Sequence, residues 1–421
     1  LIDEAARSPL IDLRWGHRAK NVAEAGVNTA QAAIEIEAPS GTYVQAAQYV
    51  VACDGARSGI RSALGLKLEG SSYEGRFVIA DIRIRLPLPT ERLAFFDPVW
   101  NPGNTVLMHR APLDMWRVDY QLPPDETPEQ ALSKESLTTR INAQLAMIGH
   151  DGVPWELDWS SVYSARALTL PNYRHGRVLF AGDAAHMLPI FGVRGANTGF
   201  QDAQNLAWKL ALVVQGKAPA ALLESYSHER VAAAREIVEE AGKSTRFMTP
   251  PTRGYRLLRD AVLSLSLTQA FVRPLYHWRT SRAHAYLDSP LNACTRSPTH
   301  DDNAAFARGP ACGEPMGNVA LGPDDFLMDH FPTGFLLLVT GAAVPAKGVL
   351  QPDLDGALAD FRASGHAVTV QLHPEAAVQN LYGDGVYLMR PDQHVAARWL
   401  HGGQALTATR LATALQCAIG R

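Results

Sequence analysis

The chain has 421 residues, 47% hydrophobic and 19% charged, with a formal net charge of −3. This composition leaves room for two or three globular domains and excludes disordered and fibrous chains. A nearly neutral balance, with no basic tract interleaved with aromatics, excludes nucleic acid and anionic membrane surfaces as electrostatic partners. The four cysteines, Cys53, Cys294, Cys312 and Cys417, form no C-x-x-C pair and no Cys/His cluster. That pattern argues for a reducing, cytoplasmic setting and for no metal site. The longest apolar stretches, near 261–272 and 334–344, fall short of the ~20 residues that span a bilayer, so no membrane span is expected.

The opening "LIDEAARSPLIDLRWGHRA" has no Met and no signal region, and it reads as the middle of a domain, which suggests a longer natural polypeptide. From Ile11 to Ala52 the text is strand-like, with "IDLRWGHRA", "AAIEIEA" and "YVQAAQYVVACDG", the last two separated by a Ser40-Gly41 hairpin signal. Further strands are expected in "FVIADIRIRL", "TVLMHR" and "MWRVDYQL", the last two joined by a turn over 111–114, as an antiparallel sheet with one exposed face. Helical periodicity marks 129–149, and 160–170 reads as a strand. Helices are expected over 198–214, 222–247 and 255–286, the last kinked at Pro274. A polar linker follows, and then alternating strands and helices over a final unit about 100 residues long.

Two stretches carry chemistry. The first is Asp54-Gly55 with Ser58 and Arg61, directly after the apolar strand 49–53. Asp54-Gly55 makes a tight turn, Ser58 can cap, and Arg61 would present a guanidinium to a diphosphate. The second is "GRVLFAGDAAHMLPIFGVRGANTGFQDAQNLAWKL" from Gly176 to Leu210. Gly182-Asp183 stands at a strand's carboxyl end, where open α/β sheets hold ligands, and Asp183 can accept hydrogen bonds from sugar hydroxyls. Downstream of Pro189, Gly192, Gly195 and Gly199 let backbone N–H groups approach a flat or anionic ligand. Asn197 or Thr198 would cap the following helix, whose positive end favours an anion. Phe200, Ala203, Leu206, Leu210 and Val213 form that helix's apolar stripe. The plainer alternative, a packing unit with a glycine-bearing loop, leaves the ordered run of strand, Gly-Asp, proline, glycines and helix unexplained. His186 reads as structural, and Glu229-Arg230 and Glu239-Glu240 read as solvated charge on a polar helix face.

At these residues the sequence resembles the flavin-dependent aromatic hydroxylases of the p-hydroxybenzoate hydroxylase fold. D-G-x-x-S-x-x-R at Asp54–Arg61 and G-D-A-A-H at Gly182–His186 look like that family's second and third fingerprints. The continuation from Pro189 to Leu210, with "AYLDSPL" and "RPDQHVAARW", is most similar to the phenylpropionate and phenol hydroxylase branch. The resemblance implies a mixed α/β fold: a Rossmann-like FAD-binding domain (1–70 and 160–225), an antiparallel-sheet substrate domain with helices (71–159 and 226–290), a linker (291–322) and a thioredoxin-like domain (323–421). The family opens with a G-x-G-x-x-G unit for the ADP part of FAD. These residues contain none, so that unit is expected upstream of Leu1 or is lost.

By position, the resemblance assigns FAD to Asp54, Gly55, Ser58, Arg61, Gly182, Asp183, Pro189, Gly192, Gly195, Ala196 and Asn197. Arg61 and Asp54 would lie near the diphosphate and the nicotinamide path. Met108, His109, Trp116 and Tyr120 on the sheet, with Pro189 and Phe191 at the loop mouth, are candidate substrate neighbours. No residue stands out as an acid or base. The implied reaction is NADH- or NADPH- and O2-dependent hydroxylation of a small aromatic substrate through a flavin hydroperoxide, with a homodimer as candidate assembly. Two rivals stand beside it: a same-fold oxygenase of a polyketide or ketone, and a flavin-less binding scaffold.

Overall fold

The structure, a computed structural model, describes residues 1–23, 31–123, 125–189, 194–276, 283–295, 308–403 and 406–421. It opens with a helix, α1 (Ile2–Arg7). The stretch from Ile11 to His17 is irregular, not the expected strand: its alternating Ile11, Leu13 and Trp15 are all exposed, and the stretch belongs to no sheet among the described residues. β1 (Arg18–Ala23), β2 (Ala32–Ala38) and β3 (Gly41–Ala47) then form an antiparallel meander. β2 and β3 meet at a tight turn, with Ala38 opposite Gly41.

A larger antiparallel sheet forms the middle of the molecule. β4 (Val50–Ala52) and α2 (Gly59–Ala63) lead into β5 (Glu69–Arg83), β6 (Arg92–Phe96), β7 (Thr105–Ala111) and β8 (Met115–Gln121). The β7–β8 hairpin turns where expected, with Leu113 and Asp114 both at positive φ. Two helices replace the one expected next, α3 (Pro128–Ala131) and α4 (Lys134–Met147), because Ser133 starts a new helix by capping Ser136 N–H. β9 (Glu156–Thr169), β10 (Arg174–His175), β11 (Val178–Phe180) and β12 (His186–Met187) follow. The six-stranded order is β12-β9-β5-β8-β7-β6, and α4 packs Leu137, Ile141 and Leu145 onto one of its faces.

α5 (Gly195–Val214), α6 (Leu222–Met248) and α7 (Arg253–Ser266) succeed one another. The helix expected through Tyr286 stops at Ser266, since Gln269 is extended, and a 3-10 turn carries Ala270–Leu275. The last unit holds β13 (Ala320–Gly322), β14 (Asp325–Phe326), β15 (Phe335–Thr340), α8 (Pro352–Ala363), β16 (Val368–His373), α9 (Ala376–Tyr382), β17 (Gly385–Met389), β18 (Val395–Leu400) and α10 (Ala408–Ala418). Its sheet runs β16-β15-β17-β18, with β15 and β16 parallel across the α8 crossover and the other pairs antiparallel. A β-α-β crossover, an antiparallel hairpin and a closing helix make the thioredoxin-like arrangement that the resemblance implied.

Cys294 and Cys312, which the sequence spacing left unpaired, are joined by a disulfide with Cα atoms 6.3 Å apart. Cys53 and Cys417 are free. Thiol titration of the unfolded, unreduced protein is therefore expected to find two thiols and, after reduction, four; four in both would mean the pair is a dithiol. Among the described residues no helix is long and apolar enough to cross a membrane, and no group of three or more His, Cys, Asp and Glu could hold a metal.

Candidate flavin site

Parallel strands β4 and β11 bring the two motifs to one edge. Val50 to Ala52 pair with Val178 to Phe180, so Asp54-Gly55 and Gly182-Asp183 leave the sheet side by side at its carboxyl end. Gly55 (φ 81°) and Gly182 (φ 59°) take the left-handed turns that release the chain from each strand. Asp183 is exposed there. The Asp54 carboxylate accepts Ile60 N–H at 3.2 Å, and Ser58 Oγ accepts Arg61 N–H at 2.9 Å, which caps α2 as expected.

Arg61 does a different job from the one expected. Its guanidinium donates to the carbonyls of Ala184 (2.9 Å) and Ala56 (2.7 Å), and the residue is only 9% exposed. It clasps one strand-end loop to the other, with two of its five N–H donors committed to backbone carbonyls.

α5 begins at Gly195, ahead of the expected start, with Arg194 before it and no side-chain cap. Asn197 and Thr198 are thus inside the first turn and do not cap it. The first backbone bond of this turn runs from Thr198 N–H to the Arg194 carbonyl, at 2.8 Å. Gly195 and Ala196 N–H stand ahead of the ladder, at the positive end of a 20-residue helix. A Cβ added at Gly195 would meet no described atom within 4 Å. At Gly199 a Cβ would come within 3.4 Å of Gly182 Cα, so paired glycines let the helix start close against the Gly182 turn. Pro189 is buried beside this turn, and Gly192 and Phe191 lie outside the described residues.

The buried face of α5 is not the apolar stripe. Phe200 is 62% exposed, whereas Thr198, Asp202, Asn205 and Lys209 are almost wholly buried with Leu206. They meet Glu229 and Arg230 of α6, which are 1% and 0% exposed and so are not the solvated charges expected. The Asp202 carboxylate accepts Gly182 N–H (2.9 Å), His186 Nε2 (2.7 Å) and Arg230 Nε (2.6 Å). Burial pushes this carboxyl up, but Arg230 and His186 outweigh it and hold the group below its ordinary value. His186 is thereby structural, as read. Arg230 also donates to Tyr286 Oη (3.0 Å) and the Thr198 carbonyl (3.2 Å).

Glu229 anchors a second knot. It accepts from Lys209 (2.6 Å), Asn205 (2.7 Å), Ser289, and both terminal nitrogens of Arg390 (2.6 and 2.9 Å) in the thioredoxin-like unit. Arg390 in turn bonds Asp392, which also accepts Asn205 Nδ2 at 3.0 Å. Burial would raise the Glu229 carboxyl, yet Arg390 and Lys209 keep it below its ordinary range. Burial pushes the Lys209 ammonium down to about 8, which leaves it protonated at neutral pH beside Glu229.

The large sheet offers two faces, and the substrate candidates divide between them. Met108, Trp116 and Tyr120 are 0–1% exposed and pack under α4, on the face turned from the loop. Trp100 meets Tyr120 edge-on, and Gln144 Nε2 sits 3.3 Å from Met108 Sδ. These three are core side chains, because alternation along β7 and β8 puts them with Leu137 and Ile141. His109 points to the opposite face. That face also carries Tyr163, unnoticed in the sequence, whose hydroxyl donates to the Leu188 carbonyl at 2.7 Å and so ties β9 to the loop before Pro189. Burial and the Asp183 charge push Tyr163 up to about 12.

An exposed carboxylate and the start of a long helix, both at the carboxyl edge of a parallel pair, fit the flavin side of FAD. The comparisons agree with this geometry. A 3-(3-hydroxy-phenyl)propionate/3-hydroxycinnamic acid hydroxylase of Mycolicibacterium smegmatis is 29% identical over 340 residues, 78% of this chain and 56% of that protein. The Escherichia coli protein of that name is 36% identical over 217 residues, 51% of this chain and 38% of its own. The chain spans about half the length of the curated relatives it matches. The flavin-dependent monooxygenase PieE, solved with FAD and substrate, shares the fold at a TM-score of 0.77 and 21% identity, over 99% of this chain and 78% of that one. Aklavinone-11 hydroxylase, in ternary complex with FAD and aklavinone, superposes at 0.72 with 26% identity, over 97% of this chain and 74% of that one. The FAD binding domain family matches residues 1–241, and this chain belongs to that family.

Proposed function

We propose that the chain belongs to an FAD-dependent monooxygenase that uses NADH or NADPH and O2 to hydroxylate a small aromatic substrate. The observation that carries this reading is the clasped pair of strand ends, with Asp183 exposed beside the N-terminus of α5. FAD, when bound, supplies the oxygen-activating chemistry. Asp183 accepts hydroxyls of its sugar or ribityl chain, and the backbone at Gly195, Ala196 and Asn197 faces its pyrimidine edge. Arg61 and Asp202 keep the two loops in register for it. The site-facing side of the sheet shields the reacting atoms from water. A cytoplasmic setting and a homodimer belong to the same proposal.

Aklavinone-11 hydroxylase, solved with FAD and aklavinone, favours a second reading, an aromatic polyketide as substrate. Product mass and regiochemistry over a phenol and polyketide panel separate the two. The shared reading is tested by FAD titration of the purified chain. Asp183→Ala is expected to weaken FAD binding about 10–100-fold, the range for a lost hydrogen bond to a charged acceptor, while leaving thermal stability close to wild type. A chain that binds no FAD and oxidises no NAD(P)H with any phenol or polyketide leaves the scaffold reading instead.

A further inference from the structure

The site-facing side of the large sheet is polar in the middle. Register sets Asp81 of β5, Arg117 of β8, His109 of β7 and Arg92 of β6 in one row across it. Ile79, Asp119, Leu107 and Ala94 form the next row, which lies toward Tyr163 and Phe77. The α6–α7 corner walls this side. Phe77 and Leu107 pack against Met248, Thr105 Oγ1 donates to the Met248 carbonyl at 2.6 Å, and Phe96 packs on Phe247.

Arg117 is committed, with Nε and Nη2 at 2.7 and 2.8 Å from the two oxygens of Asp81. Asp119 is not. It is 6% exposed, and its Oδ1 has no hydrogen-bond partner. On the neighbouring strand, one row away, His109 Nδ1 is also buried without one. Native structures leave few buried polar atoms unmatched, and those that remain call for a reason. Two of them sit together, on the face that Tyr163 ties to the flavin loop.

We propose that Asp119, with His109 beside it, is the station that hydrogen-bonds the ring hydroxyl of the substrate. The inference rests on the aromatic-hydroxylase reading and names the group in that site that selects a phenol. Asp119 Oδ1 accepts the phenolic O–H, and His109 positions the ring edge by its free nitrogen. The charges acting on Asp119 are Arg117 on its own strand, Arg92 on β6 and Asp81 on β5; the other titratable groups on this side are His109 on β7 and, from α7, Arg259, which lies over the Phe96 ring. Burial pushes Asp119 up to about 7 against the pull of Arg117 and Arg92, and pushes His109 down, with Arg92 and Arg117 adding to the effect. The imidazole therefore stays neutral while the carboxyl ionises near neutrality and becomes the better acceptor.

The test is direct binding, read by calorimetry, of 3-(3-hydroxyphenyl)propionate and its 3-methoxy ether to the FAD-equilibrated chain. Wild type is expected to prefer the phenol by about tenfold or more, since a site built to pair a hydroxyl rejects the analogue lacking it. That preference should strengthen as pH rises through about 7, where the raised carboxyl ionises. Asp119→Leu should cut it to under about threefold. Asp119→Asn keeps the shape and should flatten the pH profile, which guards against a leucine variant that fails to fold. His109→Gln should lose less. Equal binding of phenol and ether by wild type, or an Asp119→Asn variant with unchanged preference and pH slope, overturns the assignment. NAD(P)H-dependent product formation is followed separately on the same samples. A wild type that shows the preference but forms no product keeps the station and removes the hydroxylase reading.

Discussion

Replacing Glu229 with leucine is expected to destabilise the protein by about 3–5 kcal/mol, among the largest single-residue effects in the chain. The carboxylate is buried to 1% exposure and accepts from Lys209 and Arg390, so its removal leaves two buried cations with only the Asp392 carboxylate to balance them. The loss should come from the orphaned charges more than from the absent contacts. A combined variant that replaces the whole cluster, Glu229→Leu, Arg390→Met, Lys209→Met and Asp392→Leu, should therefore recover much of it, because packed apolar side chains often match a buried ion cluster and no buried carboxylate is left unpaired. Urea unfolding of the single and combined variants checks this. A single variant within about 1 kcal/mol of wild type would falsify it. Glu229, Asp392 and Asp202 are all held below their ordinary values. Groups lowered on folding add stability above the unfolded carboxylate range and lose it as pH falls through about 4 and below. The wild type should weaken steeply on acidification through that window, and the combined variant less.

Asp202→Asn is the second large effect, of about 2–4 kcal/mol, and it should extend to the cofactor. The amide keeps the volume but loses the charge opposite Arg230, and one of its two termini becomes a donor facing either Arg230 or Gly182 N–H. Gly182 is the residue that turns the chain toward Asp183. Loosening it should weaken FAD binding about tenfold or more even below the temperature at which the variant unfolds. Flavin fluorescence titration at low temperature, beside a thermal melt, separates the two components. A variant that melts early yet binds FAD like wild type would show Asp202 to be structural only.

The readable parts of the site were those whose chemistry is local. Asp54-Gly55 and Gly182-Asp183 carry their own turn geometry, and Ser58 its own cap, so adjacent residues suffice to place them. Alternation along β7 puts Met108 and His109 on opposite faces, a division that grouping Met108, His109, Trp116 and Tyr120 together as substrate neighbours passes over. It cannot tell which face looks toward the loop, because that depends on where α4 docks with Leu137 and Ile141. Periodicity failed on α5 for a related reason. It assumes that the apolar stripe is the buried one, and Asp202, Asn205 and Lys209 are buried by partners that arrive from far along the chain. Arg390 is 161 residues from Glu229. No local pattern marks Glu229 and Arg230 as interior. Tyr163 likewise acquires its meaning only from the register of β9 and its reach to Leu188.

The turn from Arg390 to His394 has a bearing on how this chain can be divided. It is pinned by backbone bonds from Gln393 N–H to the Arg390 carbonyl and from Met316 N–H to the Gln393 carbonyl, and it delivers Arg390 and Asp392 against α5 and α6. The helix that starts beside the candidate flavin site therefore completes its interior with residues from the far end of the chain. Sequence composition draws a border between the two regions, but their electrostatics do not. An N-terminal piece cut away near that border keeps Glu229 and Lys209 while losing the guanidinium and carboxylate that balance them. The thioredoxin-like unit is thus less a passenger than an internal wall of its neighbour, and fragments, fusions or domain exchanges hold together only where α5, α6 and this turn are inherited as one piece.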